Sequence, residues 1–124
     1  MSSNYLEPPI VVATYKLYQS FAPLCVRFPK IYRYSIGQTI EQEIMSLLRT
    51  VFEANSLPRP LREMPVIRAN SHCELLKLLI RLALELDLLN HTQYFQFSTH
   101  LQEMGKMLGG WINYQRTGKS NAND

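Results

Sequence analysis

Residues 74–89, ELLKLLIRLALELDLL, decide the fold class because their apolar side chains fall on nearly every side of a helix. A helix that is apolar almost all round is buried by several neighbours. In a chain of 124 residues, we expect other copies of the chain to supply some of them. A broad core stripe with a few exposed leucines is the alternative. The apolar residues concerned are Leu75, Leu76, Leu78, Leu79, Ile80, Leu82, Leu84 and Leu86.

Three further helices flank this segment. A first helix is predicted over about residues 14–28, with a kink or a break at Pro23, which lacks a backbone N–H. A second helix is predicted to begin at Ser35, whose side chain would form a capping box with Gln38, and to end near Asn55. The proline-containing residues 56–65 form a connector, and the leucine-rich helix follows from about Pro65 to Leu88.

A fourth helix is predicted to start near Asn90, which can form another cap with Gln93. Its apolar residues alternate spacings of three and four, which is a heptad-like seam. We therefore predict an all-α, up-and-down four-helix bundle over residues 14–116, with an N-terminal extension at 1–13 and a flexible tail at 117–124. The seam consists of Tyr94, Phe97, Leu101, Met104, Leu108 and Trp111.

Glycine is scarce in the chain, yet Gly105, Gly109 and Gly110 lie beside the single tryptophan, Trp111. Each glycine inside a helix costs about 1 kcal/mol relative to alanine. We interpret them as a strip without side chains that lets another helix approach closely, with Trp111 as an apolar anchor. The alternative is that the helix frays after Leu108.

The net charge of +3 is concentrated at the two ends of the sequence. Residues 1–35 carry four basic and one acidic side chain, residues 36–103 carry six and eight, and residues 104–124 carry three and one. Because the first and fourth helices of such a bundle are neighbours, we expect their basic side chains to merge on one side. The predicted phosphate contacts are Lys16, Arg27, Lys30, Arg33, Lys106 and Arg116.

Residues 27–34, RFPKIYRY, interleave three of these basic residues with the aromatic residues Phe28, Tyr32 and Tyr34. Such a stretch can bind phosphates and stack on exposed bases. It is equally compatible with an ordinary hinge whose aromatic side chains cap the core.

No pattern in the sequence indicates catalysis, a metal or a cofactor. Cys25 and Cys73 are far apart and are predicted to be buried, reduced thiols. The three histidines have no ligand spacing, and a phosphate loop and a nucleophile elbow are absent. Because these motifs are missing, we predict that the protein is not an enzyme and has no small-molecule substrate. The sequence also contains no membrane-spanning segment and no secretory signal, so we predict a cytoplasmic protein.

The chain resembles the Avd family, the accessory proteins of diversity-generating retroelements. The resemblance rests on FPKIYRYSIGQTIEQEI at 28–44, LLKLLIRLALELDLL at 75–89 and MGKMLGGWI at 104–112, and covers roughly residues 15–113. It implies a bundle that assembles into a ring-like homopentamer without catalytic activity. It also implies binding to a reverse transcriptase and to retroelement RNA, or DNA, in support of mutagenic copying.

Two other interpretations stay open. One is a four-helix bundle protein of the kind encoded by intervening sequences in large-subunit ribosomal RNA genes. The other is a purely structural oligomer whose partners are proteins alone, which the apolar third helix favours.

Overall fold

The computed structural model describes residues 8–117, which form four long helices and no strand. They are α1 (Pro9–Cys25), α2 (Gln38–Ser56), α3 (Glu63–Glu85) and α4 (His91–Thr117). A short helical turn, Lys30–Tyr32, and a π-helical turn, Arg33–Gly37, lead directly into α2. A single 3₁₀ turn, Arg59–Leu61, lies in the connector before α3.

The helices form an up-and-down bundle in which each one packs against two others. Contacts join α1 to α2, α2 to α3, α3 to α4, and α4 back to α1. The antiparallel register of α1 and α4 is fixed by the Phe21 and Phe97 rings, whose centroids lie 6.0 Å apart. It is also fixed by His100, whose Nε2 lies 2.8 Å from the Ala13 carbonyl oxygen and donates to it. The predicted four-helix fold is therefore confirmed.

One continuous core runs through the bundle, and each helix contributes residues at helical spacing. On α4 the predicted seam is confirmed: its four central residues are buried, and Tyr94 and Trp111 pack against the core at its two ends. On α3 the residues Leu76 and Ile80 are buried, whereas other leucines of the same helix are not. The fully buried large side chains include Phe21, Leu17, Ile40, Ile44, Leu47, Leu76, Ile80, Leu101, Met104 and Leu108.

The first helix begins five residues earlier than predicted. Pro9 occupies its first turn, where the missing N–H leaves no hydrogen bond unmade. The Pro8 carbonyl accepts from the Val11 N–H at 3.0 Å, which joins Pro8 to the first turn of the helix. Pro23 does not split the helix, which ends two residues later at Cys25. Thus α1 includes residues 9–13 of the predicted extension, while residues 1–7 and 118–124 lie outside the described chain.

The predicted capping box at Ser35 is wrong. The helical backbone begins at Lys30, after Pro29. Ser35 lies inside the π turn, where its hydroxyl donates to the Ile31 carbonyl at 2.7 Å. Because the helical backbone already starts after Pro29, Ser35 lies inside the helical segment and is not at its N-terminus, where a capping residue is needed.

Both ends of the α3–α4 connection are built by local hydrogen bonds. The α3 helix ends before Asp87, which has φ 61°. The Leu88 N–H donates to Ala83 and the Asp87 N–H to Leu84, both at 2.9 Å, which is a Schellman motif. The predicted cap of α4 is confirmed, because Asn90 Oδ1 accepts from the Gln93 N–H at 2.7 Å and Gln93 Oε1 accepts from the Asn90 N–H at 3.0 Å.

Both cysteines are buried free thiols, as predicted. Burial raises the pKa of Cys73 to about 11, and its Sγ donates a weak bond of 3.6 Å to the Leu101 carbonyl. Burial, with a smaller effect of the nearby Glu41 carboxylate, also raises the pKa of Cys25. Neither thiol is therefore ionised near neutral pH.

Candidate nucleic-acid interface

The six predicted phosphate contacts do not merge into one surface. Arg27, Lys30 and Arg33 follow the C-terminal end of α1, beyond the level at which Phe21 packs against Phe97. Arg116 lies in the last turn of α4, and at a rise of about 1.5 Å per residue it is about 28 Å from Phe97 in the opposite direction. The first and fourth helices are neighbours, as expected, but their antiparallel course sends these basic groups to opposite ends of the bundle.

Lys16 and Lys106 lie between these extremes, each exposed on the side of its helix. Arg116 Nε, at the far end of α4, lies 3.1 Å from Glu63 Oε2. Lys106 Nζ, nearer the middle of the same helix, lies 3.8 Å from Glu103 Oε2. A carboxylate therefore already neutralises part of the charge of both residues. The predicted set thus divides into a group of three at one end and three separated residues elsewhere.

We call Arg27, Lys30 and Arg33 the cationic turn. Arg27 and Lys30 are exposed, and Arg33 is half-buried. Within residues 8–117, none of the three lies within 4.0 Å of a carboxylate oxygen. The positive charge of the cationic turn is therefore available to a ligand, in contrast to that of Arg116.

The core fixes the position of the cationic turn. Phe28, in the middle of it, is buried, and its ring meets Phe21 edge-to-face with centroids 5.9 Å apart. The Pro29 carbonyl accepts from the N–H groups of Tyr32 and Arg33, both at 2.8 Å. Cations on either side of a buried ring are thereby held on a short, ordered segment.

The π turn that follows is packed closely onto α1. A Cβ added at Gly37 would lie 2.7 Å from Cys25 Sγ and 3.2 Å from the Phe28 ring. Ile36 and Gly37 are buried while Tyr34 is 61% exposed, so the wide turn directs two residues inward and the tyrosine outward. Isolated π turns are frequent at functional sites.

Arg33 is held in place by local contacts. Its Nη2 donates to the Phe28 carbonyl at 3.3 Å, and its guanidinium carbon lies 5.9 Å from the centroid of the Tyr34 ring. Arg33 Nε is enclosed and has no hydrogen-bond partner in the described chain. A small pocket of about 170 Å³ lies beside it, lined by Cys25, Val26, Arg33, Tyr34, Gln38 and Glu41.

The aromatic residues within residues 27–34 support both interpretations of this segment, a hinge that caps the core and a surface that stacks on bases. Phe28 is in the core and Tyr32 is partly buried against it, as a hinge requires, whereas Tyr34 is exposed. The sequence did not single out Val26 and Ile31, which are 65% and 76% exposed on the same turn. The available signal was that both apolar residues lie in the connection between α1 and α2, outside the regular core pattern of either helix.

The three glycines of α4 do not receive another helix of the same chain. A Cβ at Gly105 would meet only the end of the Lys77 side chain, at 3.2 Å from Nζ, and a Cβ at Gly109 or Gly110 would meet nothing within 4 Å. The helix continues to Thr117, well beyond Leu108. Trp111 is half-buried and lines an apolar pocket of about 340 Å³ with Pro8, Pro9, Ile10, Asn55, Arg62 and Met107.

An apolar stripe lies on α3, the neighbour of α4. Leu75, Leu78 and Leu82 are spaced three and four residues apart, and all are exposed, Leu78 by 55%. On the adjacent α4, residues Ser98 and Gln102 line a shallow groove with Leu78. The exposed leucines of α3 therefore lie beside polar residues of α4, and the open positions of Gly109 and Gly110 lie further along α4.

Among residues 8–117, no three His, Cys, Asp or Glu side chains are grouped so that they could hold a metal ion. No helix of that range has the length and apolar character needed to cross a bilayer.

Comparisons with known proteins identify a family for the chain. No curated protein and no solved structure gives a significant match. A family model does match, over residues 10–115, and its description is bAvd-like. That range includes nearly the whole of all four helices and the cationic turn. The resemblance predicted from the sequence is therefore confirmed, and the chain belongs to the bAvd-like family of Avd-type accessory proteins.

Proposed function

We propose that this chain is a non-catalytic accessory protein of a diversity-generating retroelement. In this role it binds the reverse transcriptase and the template RNA and supports mutagenic reverse transcription, or mutagenic retrohoming, in the cytoplasm. Membership of the bAvd-like family supports the general role. The cationic turn is the observation that supports RNA binding, because it presents three basic side chains that have no carboxylate partner among residues 8–117.

Electrostatics explains why this turn is the preferred RNA contact. A protein cation that binds a phosphate releases condensed counterions, and this release drives much of nucleic-acid binding. A cation already paired with a carboxylate must first give up that interaction. Arg116 pairs with Glu63, whereas Arg27 and Lys30 have no such partner within the described chain. We therefore expect the cationic turn to contribute more than Arg116 or Lys106, and Lys16 to be an accessory contact.

The test is a titration of structured RNA at several salt concentrations. Changing Arg27, Lys30 and Arg33 together to alanine should weaken binding and reduce the slope of log K against log salt by about 2–3, at about 0.7–0.9 per lost contact. The matched control changes the exposed residues Arg49, Arg68 and Arg81 to alanine, which alters the net charge equally. An unchanged slope in the first variant, or equal losses in both, would exclude the cationic turn as the RNA site.

The reverse transcriptase contact needs its own experiment. Co-purification of the tagged chain with the reverse transcriptase of the same genetic element should yield a stable complex that the alanine variant of the cationic turn still forms. A reverse transcriptase gene beside paired template and variable repeats in the genome would support the same role. A genome without such a neighbour would contradict it.

Self-association forms the second part of the proposal. The exposed stripe of Leu75, Leu78 and Leu82 supports packing of α3 against another copy. The open positions of Gly109 and Gly110 lie further towards the C-terminal end of α4, where a second copy can also approach closely. The resemblance implies a ring-like homopentamer. Light scattering should give a stable oligomer, and Leu78→Glu should dissociate it. The control Phe52→Glu, at an exposed residue of α2, should leave it intact, and a monomeric wild type at micromolar concentration would reject the proposal.

The same apolar face favours a second candidate function, a structural oligomer that binds only proteins. The RNA titration separates the two functions. RNA binding no stronger than that of a neutral control protein would favour the second.

A further inference from the structure

Apolar side chains are exposed beside the charged ones of the cationic turn. Three of them, Val26, Ile31 and Tyr34, are more than 60% exposed, at 65%, 76% and 61%. They alternate along the chain with Arg27, Lys30 and Arg33, so each cation has an apolar neighbour. A surface meant only for phosphates gains nothing from exposed apolar groups, which indicates that the ligand brings an apolar part of its own.

Nucleic acids expose such a part only where bases are unpaired. In a duplex the base faces are stacked on each other, and a protein meets phosphates, sugars and base edges. A single strand can turn a base outward onto an aromatic ring, and every base has a face that can stack. An exposed tyrosine among cations that form no ion pair within the described range 8–117 therefore fits a single strand better than a duplex.

Tyr34 has the geometry of a stacking platform. It projects from the π turn, whose buried residues Ile36 and Gly37 fix its backbone against α1. The Arg33 guanidinium lies 5.9 Å from the Tyr34 centroid, and a hydrogen bond from Arg33 to the Phe28 carbonyl holds it there. A base stacked on Tyr34 would thus have a cation nearby for its phosphate, without any large rearrangement of the turn.

Other exposed aromatic residues lack this combination. Phe52 lines a groove with Tyr15, Met45 and a single cation, Arg49. Phe95 lies on α4, where it follows His91 and precedes Glu103, with no Lys or Arg between residues 91 and 105. The three-cation surroundings of Tyr34 set it apart from them.

We propose that the cationic turn binds unpaired nucleotides, with Tyr34 stacking on a base while Arg27, Lys30 and Arg33 contact the flanking phosphates. This inference rests on the proposed RNA-binding function and specifies its ligand as single-stranded RNA in preference to duplex RNA.

The experiment measures fluorescence anisotropy with a labelled 12-nucleotide single-stranded RNA and with the same sequence annealed to its complement. Tyr34→Ala should weaken single-strand binding by about tenfold, which is the effect of one lost base stack. It should leave the duplex affinity and the salt slope unchanged, because no charge is removed. Tyr34→Phe keeps the ring and should retain single-strand affinity, and Phe52→Ala is the control for loss of an exposed aromatic residue.

The outcomes separate this inference from the function on which it rests. If the wild type binds both RNAs equally, or if Tyr34→Ala weakens both equally or neither, stacking by Tyr34 is rejected while RNA binding survives. If neither RNA binds, the proposed function fails together with the inference. Circular dichroism of Tyr34→Ala should match the wild type, because the side chain is exposed.

Discussion

Gly37 packs so closely against Cys25 that a Cβ at Gly37 would lie 2.7 Å from the Cys25 Sγ. The same Cβ would lie 3.1 Å from the Tyr32 carbonyl oxygen, which is backbone and cannot rotate away. This contact joins the π turn to α1, and it explains a glycine within a continuous helical segment.

Gly37→Ala should therefore lower the free energy of unfolding. The overpacking penalty of about 1–3 kcal/mol exceeds the gain of about 1 kcal/mol that alanine brings to a helix. Urea unfolding measures the difference. In a Cys25→Ala background the Sγ is absent, so Gly37→Ala should lower the unfolding free energy by less than it does in the wild type. Equal stability of Gly37→Ala and the wild type would show that this contact is not tight.

Asp87→Gly should stabilise the protein. Asp87 has φ 61° at the end of α3, a conformation that costs a non-glycine residue roughly 1–2 kcal/mol. Its carboxylate also lies near the negative end of the helix dipole. Thermal unfolding should show a higher midpoint for Asp87→Gly and a smaller increase for Asp87→Asn, which removes only the charge. A lower midpoint for the glycine variant would mean that the Asp87 side chain makes a compensating contact.

Asn90→Ala should destabilise the start of α4 by about 1 kcal/mol, the usual cost of losing an N-cap side chain. The variant removes the acceptor of the 2.7 Å bond from the Gln93 N–H. The control Gln96→Ala, at an exposed position in the same helix, should change the unfolding free energy by a few tenths of a kcal/mol at most. Equal effects of the two substitutions would contradict the importance of the cap.

The sequence predicted the bundle well because burial has a helical period. The apolar residues from Phe97 to Leu108 were correctly predicted as the core side of α4, and Asn90 with Gln93 as its start. Both features are encoded by residues close together in the sequence. The π turn has no such local signature. Ser35 satisfies the capping-box pattern, but Pro29 upstream had already started the helix.

The candidate site was predicted only in part. Arg27 follows α1 and Arg116 lies in the last turn of α4. The predicted up-and-down order already makes these two helices antiparallel and places the two residues at opposite ends, so the expected merging of their charges considered which helices are neighbours but not their direction. Whether an aromatic residue is buried also depends on tertiary contacts. Phe28 meets Phe21 in the core, while Tyr34, six residues later, remains exposed.

Stability at alkaline pH should depend on Cys73. Burial raises the pKa of Cys73 from 9.0 to about 11, so the folded state holds the thiol proton more tightly than the unfolded state. The resulting stabilisation is complete below about pH 9 and is lost as the pH rises towards 11. The unfolding free energy of Cys73→Ala should fall less steeply between these pH values than that of the wild type. Lysines and tyrosines titrate in both proteins, so the difference between the two curves is the measurement, and parallel curves would contradict the raised pKa.

Gly109→Ala should change stability in opposite directions at low and high protein concentration. A Cβ at Gly109 meets nothing within 4 Å in the described chain, so in dilute, monomeric protein alanine should raise the unfolding free energy by about 1 kcal/mol through helix propensity. If α3 and α4 pack against a second copy, the added methyl group should weaken assembly, and light scattering should show dissociation at a higher concentration than in the wild type.

The same substitution at Gly110 provides a comparison within the helix, because a Cβ there also meets nothing within 4 Å. Whichever glycine lies closer to the second copy should show the larger loss of assembly. Stabilisation at every concentration by both substitutions, with unchanged assembly, would show that the open strip of α4 lies outside the interface between copies and that the exposed leucines of α3 form it without the glycines.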